Sequence, residues 1–134
     1  MRMRVKLFLA FAALALCLSV RAAGDSYDVF VPISKYMASG DAESLSAWFS
    51  DNLEISIMSS TNDSSRNQAK QILKTFFASH TPRSFEINHT ASRSNSKYAL
   101  GYLNAGGELF EVTIFVSKDK GSYKIQQLKI DRIR

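Results

Sequence analysis

Cysteine and histidine are almost missing from this chain of 134 residues. Its one cysteine, Cys17, lies in an apolar N-terminal run, and its two histidines are His80 and His89. The mature chain therefore has no disulfide and no thiol chemistry, and no cluster of His, Cys and carboxylate groups has metal-ligand spacing. Nucleophile-elbow and phosphate-loop motifs are missing as well. We expect neither a metal nor a cofactor.

The first 22 residues have the three parts of a secretory signal peptide. Residues 1–6 are basic, residues 7–20 form an uncharged apolar run, and small residues lead to a cleavage point after Ala22. A run of 14 residues is shorter than the roughly 20 that a membrane-spanning helix needs. We therefore predict an exported product, periplasmic or secreted, with a signal peptide at residues 1–22.

Cleavage leaves residues 23–134 as a single domain of almost neutral charge. Four of the 17 basic residues and none of the 12 acidic ones fall within residues 1–22, so 13 basic residues remain against 12 acidic ones. Non-specific nucleic-acid binding grows with the number of phosphates neutralised, so we expect no nucleic-acid partner. A lipid anchor on Cys17 is a disfavoured alternative, because Leu16 occupies the position where a lipoprotein signal has a small residue.

Helix signals come first in the mature chain. In "SYDVFVPISKYMASGD", apolar residues recur at helical spacing and Gly40 is a natural stop. Asp41 then suits the N-cap of a second, short helix that Asp51-Asn52 ends. The apolar stripes consist of Val29, Ile33, Tyr36 and Met37 on the first helix and of Leu45, Trp48 and Phe49 on the second. The pattern predicts two consecutive helices.

A strand and a longer helix follow. "LEISIM" alternates apolar and polar residues, which predicts a half-buried strand. "SSTNDSS" is typical of a turn, in which Asp63 or Ser64 caps the next helix. That helix, "RNQAKQILKTFFASH", ends before Pro82. Its stripe consists of Ala69, Ile72, Leu73, Phe76 and Phe77.

The rest of the chain has a period of two. Four alternating segments, "SFEINHTA", "SKYALGYLN", "ELFEVTIFVS" and "SYKIQQLKIDRI", are separated by turns. A bulge at Gln126-Gln127 would bring the apolar pairs of the last segment onto one face. The predicted order, ααβαββββ, is an α+β pattern in which helices pack on a curved antiparallel sheet.

This order resembles the nuclear transport factor 2-like superfamily, the cystatin-like cone, and within it a family of exported bacterial domains of unknown function. The likeness rests on "GDAESLSAWFSDNLEIS" and on the "QILKTFF…PRSF" passage, and it covers nearly all of residues 25–132. It implies a cone whose helices and curled sheet enclose an apolar pocket, often with a sheet-mediated dimer. The superfamily contains enzymes and non-enzymes, so the fold alone assigns no chemistry.

The resemblance also locates where a catalytic base would lie. Isomerase-type members place a general-base Asp late on the first strand, and that position aligns with Ile57. An aliphatic side chain cannot abstract a proton, so we expect no catalytic residues. The alternative is a small lyase or isomerase that uses Glu111 or His89.

Six residues are candidates for lining the pocket: Tyr36, Ile57, Phe77, His89, Tyr102 and Glu111. A tyrosine can pack its ring and hydrogen-bond a ligand, and His89 has the parity of Phe85 and Ile87, so it is expected to face the cone interior. We expect a non-catalytic domain that binds a small apolar ligand or an envelope protein through this pocket.

A second surface is predicted outside the cone. "YALGYL" and "ELFEVTIFV" carry apolar residues on both faces of their strands. One face packs on the helices, and the other leaves an apolar patch that typically marks an interface. We therefore predict a homodimer through the outer face of the sheet.

Overall fold

The computed structural model describes residues 28–133. The predicted signal peptide and Cys17 lie outside this range. The elements, in chain order, are helices α1 and α2, strands β1 and β2, helix α3 and strands β3 to β6. Their bounds are Phe30–Ser39, Ala42–Ser46, Phe49–Ile57, Ser60–Ser65, Arg66–Ser79, Pro82–Arg93, Ser96–Ala105, Glu108–Asp119 and Ser122–Arg132. The α+β class is confirmed.

Helices α1 and α2 meet at Gly40 and Asp41, the predicted helix stop and N-cap. Gly40 adopts a left-handed conformation (φ 68°), and its N–H and that of Asp41 bond carbonyls at the end of α1. The Asp41 carboxylate then accepts from the backbone N–H of Ser44 at 3.0 Å, which caps α2. A glycine without Cβ tolerates the left-handed bend, so one helix can end where the next begins.

Helix α2 is shorter than predicted. It ends at Ser46, and Trp48 and Phe49 belong to the approach to β1 and to β1 itself. The N–H of Ile125 bonds the carbonyl of Trp48 at 2.6 Å, so pairing with β6 draws the chain into extended structure. The predicted helix end at Asp51-Asn52 is wrong, because both residues lie within β1.

The turn predicted over "SSTNDSS" is a strand instead. Residues 60–65 form β2, which pairs antiparallel with β1 across a two-residue hairpin at Met58 and Ser59. The cap of α3 is Ser65 rather than Asp63 or Ser64. Its hydroxyl accepts from the N–H of Gln68 at 3.2 Å, and the Gln68 side chain accepts from the N–H of Ser65 at 3.0 Å.

The six strands form one sheet in the order β2-β1-β6-β5-β4-β3. Strands β1 and β6 run parallel, and the other neighbours are antiparallel. The predicted bulge on the last strand is confirmed. The register of β5 and β6 shifts at Val116, where Gln126 is the extra residue, and Ile125 and Leu128 are both fully buried.

The core lies between the helices and one face of the sheet. It combines Ile33 and Met37 of α1 with Leu73 of α3 and with Phe110 and Ile114 of β5, all fully buried. The predicted stripe of α3 is confirmed, with Ile72 half-buried at its margin. Over residues 28–133, every helix is too short or too polar to cross a membrane.

Candidate functional site

The structure places the six predicted pocket residues in two groups on opposite faces of the sheet. Three of them, Tyr36, Ile57 and Phe77, lie on the helix side and pack against the core. The other three, His89, Tyr102 and Glu111, are exposed on the far side. The six do not converge on one site, and ligand binding by either group stays a prediction.

The helix side of the sheet is occupied by apolar side chains. Leu45, Phe49, Leu103 and Phe110 have no solvent-exposed surface. The packing over Gly101 is especially close, since a Cβ built there would lie 2.5 Å from the backbone oxygen of Glu86 and 2.9 Å from the ring of Phe85. Side chains of the protein itself therefore fill the space around these residues.

His89 lies on the other face because β3 contains a bulge. Ile87 pairs with Gly101 and His89 pairs with Leu100, so Asn88 is an extra residue. An inserted residue inverts the parity of every side chain after it. His89 therefore lies on the outer face of the sheet, whereas Ile87 lies on the face that packs on the core. The expectation that His89 faces the cone interior is wrong.

Tyr102 and Glu111 are direct cross-strand partners on the outer face. Tyr102 of β4 pairs with Glu86 of β3 on one side and with Glu111 of β5 on the other. Glu111 pairs in turn with Asp131 of β6. The row therefore sets three carboxylates and one phenol side by side, and Tyr102 is 36% exposed.

Sequence reasoning missed a charged cluster at the end of α3. The His80 ring stacks on the Phe76 ring, with 4.8 Å between the ring centroids, and lies perpendicular to the Phe110 ring, with 5.5 Å between the centroids. Its Nε2 lies 3.6 Å from Oε1 of Glu108, whose Oε2 accepts from Nε of Arg132 at 2.8 Å. The cluster joins a helix end to two strands, and only long-range pairing brings these residues together.

This cluster is poorly suited to acid–base catalysis. The hydrogen bond from Arg132 lowers the pKa of Glu108 below its usual range, and the nearby charge of Arg132 acts in the same direction. A carboxylate stabilised in its charged form is a weaker base. The arrangement is better explained as a link between the end of α3, the start of β5 and the end of β6.

Apolar side chains continue along the outer face. We define the outer strip as five residues of β4 and β5: Tyr98, Leu100, Tyr102, Leu109 and Phe115. Leu109 is 50% exposed, and Ile133, whose N–H bonds the carbonyl of Leu109, is 43% exposed. Beside the strip, buried oxygens of Asn104 and Asp131 have no hydrogen-bond partner in residues 28–133. A surface of this kind is typical of an interface.

An open groove of about 460 Å³, lined mostly by polar residues, lies along the β2 edge of the sheet, between β1, β2, β6 and the start of α3. Its lining includes Asn52, Glu54, Asp63 and Gln68. It is therefore not the apolar pocket that the cone predicts. No group of three or more His, Cys, Asp or Glu residues in the described part of the chain could hold a metal ion.

A curved, unclosed six-stranded sheet backed by helices defines the nuclear transport factor 2-like class of α+β folds, and the expected resemblance to that class is confirmed. Residues 30–131 match the model of a family described as a domain of unknown function, DUF4783. The chain belongs to the DUF4783 family.

Solved structures of similar proteins share the fold. A DUF4783 family protein from Bacteroides uniformis is 24% identical, with a TM-score of 0.77, covering 80% of this chain and 99% of that one. A nuclear transport factor 2-like protein of unknown function from Cytophaga hutchinsonii is 8% identical, with a TM-score of 0.59 and coverages of 79% and 88%. A domain with a cystatin-like fold from Nostoc punctiforme is 14% identical, with a TM-score of 0.63 and coverages of 77% and 72%. No curated protein matches the chain.

Proposed function

We propose that this protein is an exported, non-catalytic protein-binding domain whose outer strip packs against a second copy of the chain. The observation that carries the proposal is the exposure of large apolar side chains on the sheet face that no helix of residues 28–133 covers, above all Tyr102 and Leu109. The N-terminal sequence, with its basic start, apolar run and small residues, supports export.

A protein partner fits the structure better than a small apolar ligand does. The apolar side chains on the helix side are already buried against one another, including Phe49 and Phe110. The lyase or isomerase alternative has less support, because His89 and Glu111 are exposed on the outer face and Ile57 lies where a general base would be. General acid–base chemistry requires groups that converge on one reacting atom.

A second copy is the partner that the charges favour. Glu86 and Glu111 flank the outer strip beside Tyr102, and Arg93 lies near its other end, where it pairs with Ser96. If two copies meet face to face with their strands antiparallel, the carboxylates of one lie toward Arg93 of the other. A two-fold interface of this kind is self-complementary.

Sedimentation velocity of the purified protein at micromolar concentration tests the proposal. We expect a dimer, and we expect Tyr102→Ser combined with Leu109→Ser to raise the dimer dissociation constant at least about tenfold, because both variants remove apolar area from the interface. Val31→Ser is the matched control, since Val31 is 66% exposed on α1.

Two results would contradict it. One is a wild-type monomer at that concentration. The other is a Val31→Ser variant that dissociates as readily as the double variant, with native circular dichroism in both. Native mass spectrometry of the same samples would reveal a bound small molecule, which would favour the ligand-binding alternative instead.

A further inference from the structure

The β3–β4 turn lies beside the β5–β6 turn at one end of the sheet. The backbone N–H of Lys118, near the end of β5, bonds the carbonyl of Asn95 in the β3–β4 turn at 2.9 Å. Lys118 also pairs with Tyr123 of β6, and Lys97 pairs with Val116. Side chains two residues apart on a strand share a face, so Lys97, Lys118 and Tyr123 lie together on the face opposite the outer strip.

The ammonium groups of Lys97 and Lys118 both lie near the ring of Tyr123. Nζ of Lys97 lies 5.0 Å from the ring centroid of Tyr123, and Nζ of Lys118 lies 5.5 Å from the same centroid. The ring quadrupole attracts each ammonium, but two ammoniums at one ring repel each other. The next turn adds Lys120, an exposed residue in a left-handed conformation. We call these four residues the lysine tip.

The cations of the lysine tip have no anionic partner within the described residues. No carboxylate of residues 28–133 lies within 4.0 Å of Lys97, Lys118 or Lys120, and this includes Asp119 of the same hairpin. Lys70 and Lys129, by contrast, pair with Glu43 at 3.3 Å and with Asp131 at 3.6 Å. The tip therefore carries concentrated positive charge on a chain that is otherwise close to neutral.

We propose that the lysine tip docks on the surface of an anionic phospholipid membrane. Lysine ammoniums are compact charges on flexible stems that can follow a fluid array of phosphates, and they lack the fixed fork with which arginine holds a single anion. A tyrosine between them suits the membrane–water boundary, with an apolar ring and a polar hydroxyl. The site is independent of the outer strip, because it lies on the other face.

Sedimentation with lipid vesicles tests this inference. We expect the purified protein to bind phosphatidylcholine vesicles that contain one-third phosphatidylglycerol and not those of phosphatidylcholine alone, and to be released by added salt. Lys97→Gln with Lys118→Gln should weaken binding about 25-fold, or about fivefold for each charge removed. The charge-conserving pair Lys97→Arg with Lys118→Arg should retain it.

The chain offers a matched control in Lys35, whose Nζ lies 5.8 Å from the ring of Tyr36, and in the exposed Lys74 of α3. Lys35→Gln with Lys74→Gln removes the same charge away from the tip and should leave binding unchanged. Three results would overturn the proposal: no preference for anionic vesicles, equal weakening in the control pair, or displacement by millimolar inorganic phosphate at constant ionic strength, which would indicate a small-anion site. The oligomeric state of the same variants separates this outcome from a failure of the proposed dimer.

Discussion

At the scale of single residues, the β1–β2 hairpin shows where the backbone is strained. Met58 and Ser59 have φ angles of 50° and 73°, both in the left-handed region. A two-residue hairpin of type I′ requires positive φ at both positions, which explains why Asn-Gly is the usual choice there. The strain is maintained by β-sheet pairing on both sides and by the N–H of Met58, which donates to the carbonyl of Ile130 at 2.7 Å.

We expect Ser59→Gly to stabilise the protein by about 1 kcal/mol, because glycine adopts positive φ without a Cβ penalty. The free energy of unfolding in urea measures the effect. Ser60→Gly is the control, since residue 60 lies in extended structure and glycine there should destabilise the strand. A Ser59→Gly variant less stable than the wild type would show that the hairpin strain is not borne by this residue.

Residue roles that depend on close neighbours in the sequence could be predicted, and two roles that depend on strand pairing could not. Gly40 and Asp41 have the roles that their types indicate, because a helix stop and an N-cap depend on neighbours within four residues. The face of His89 could not be predicted, because the bulge at Asn88 is a property of the pairing with β4. The contact between His80 and Glu108 depends on the same long-range assembly.

At the scale of elements, polar composition concealed one strand. Residues 60–65 contain no large apolar side chain, and their sequence is typical of a turn. They form a strand because they are at the edge of the sheet, where only Ser64 is buried and the other side chains remain in contact with water. Strands with an apolar face, such as β4 and β5, were predictable from their period of two.

Helix α2 is only five residues long, so its stability depends on its N-cap. The hydrogen bond from the backbone N–H of Ser44 lowers the pKa of Asp41 below its ordinary value of 3.8, and the hydrogen bond from the Ser44 hydroxyl lowers it further. A lowered carboxyl pKa means that the contribution to stability is complete above pH 3.8 and is lost as the pH falls through the lower value in the folded state.

We therefore expect Asp41→Ala to cost about 1 kcal/mol at neutral pH. The difference from the wild type should shrink as the pH drops below the ordinary carboxyl value. Asp41→Asn keeps a capping oxygen and should cost little at neutral pH. Urea unfolding at a series of pH values measures all three proteins. A cost for Asp41→Ala that is unchanged in acid would mean that the carboxylate charge plays no part.

At the scale of the whole molecule, a single apolar core joins both layers. Phe110, near the start of β5, is fully buried, with its ring centroid 5.2 Å from that of Phe76 on α3. The core also includes the buried residues of α1 and α2. Because no layer has a core of its own, the helices and the sheet should unfold together.

We expect Phe110→Ala to lower the free energy of unfolding by about 3–5 kcal/mol, since it removes a large buried ring and leaves a cavity. Far-UV circular dichroism reports the secondary structure, and the fluorescence of Trp48, the one tryptophan of the chain, reports the junction of α2 and β1. Both midpoints in urea should coincide in the wild type and shift together in the variant. Val31→Ala removes a mostly exposed apolar side chain and should leave both midpoints almost unchanged. A fluorescence transition that separates from the circular dichroism transition would show that α2 and the edge of the sheet unfold as an independent unit, which contradicts a shared core.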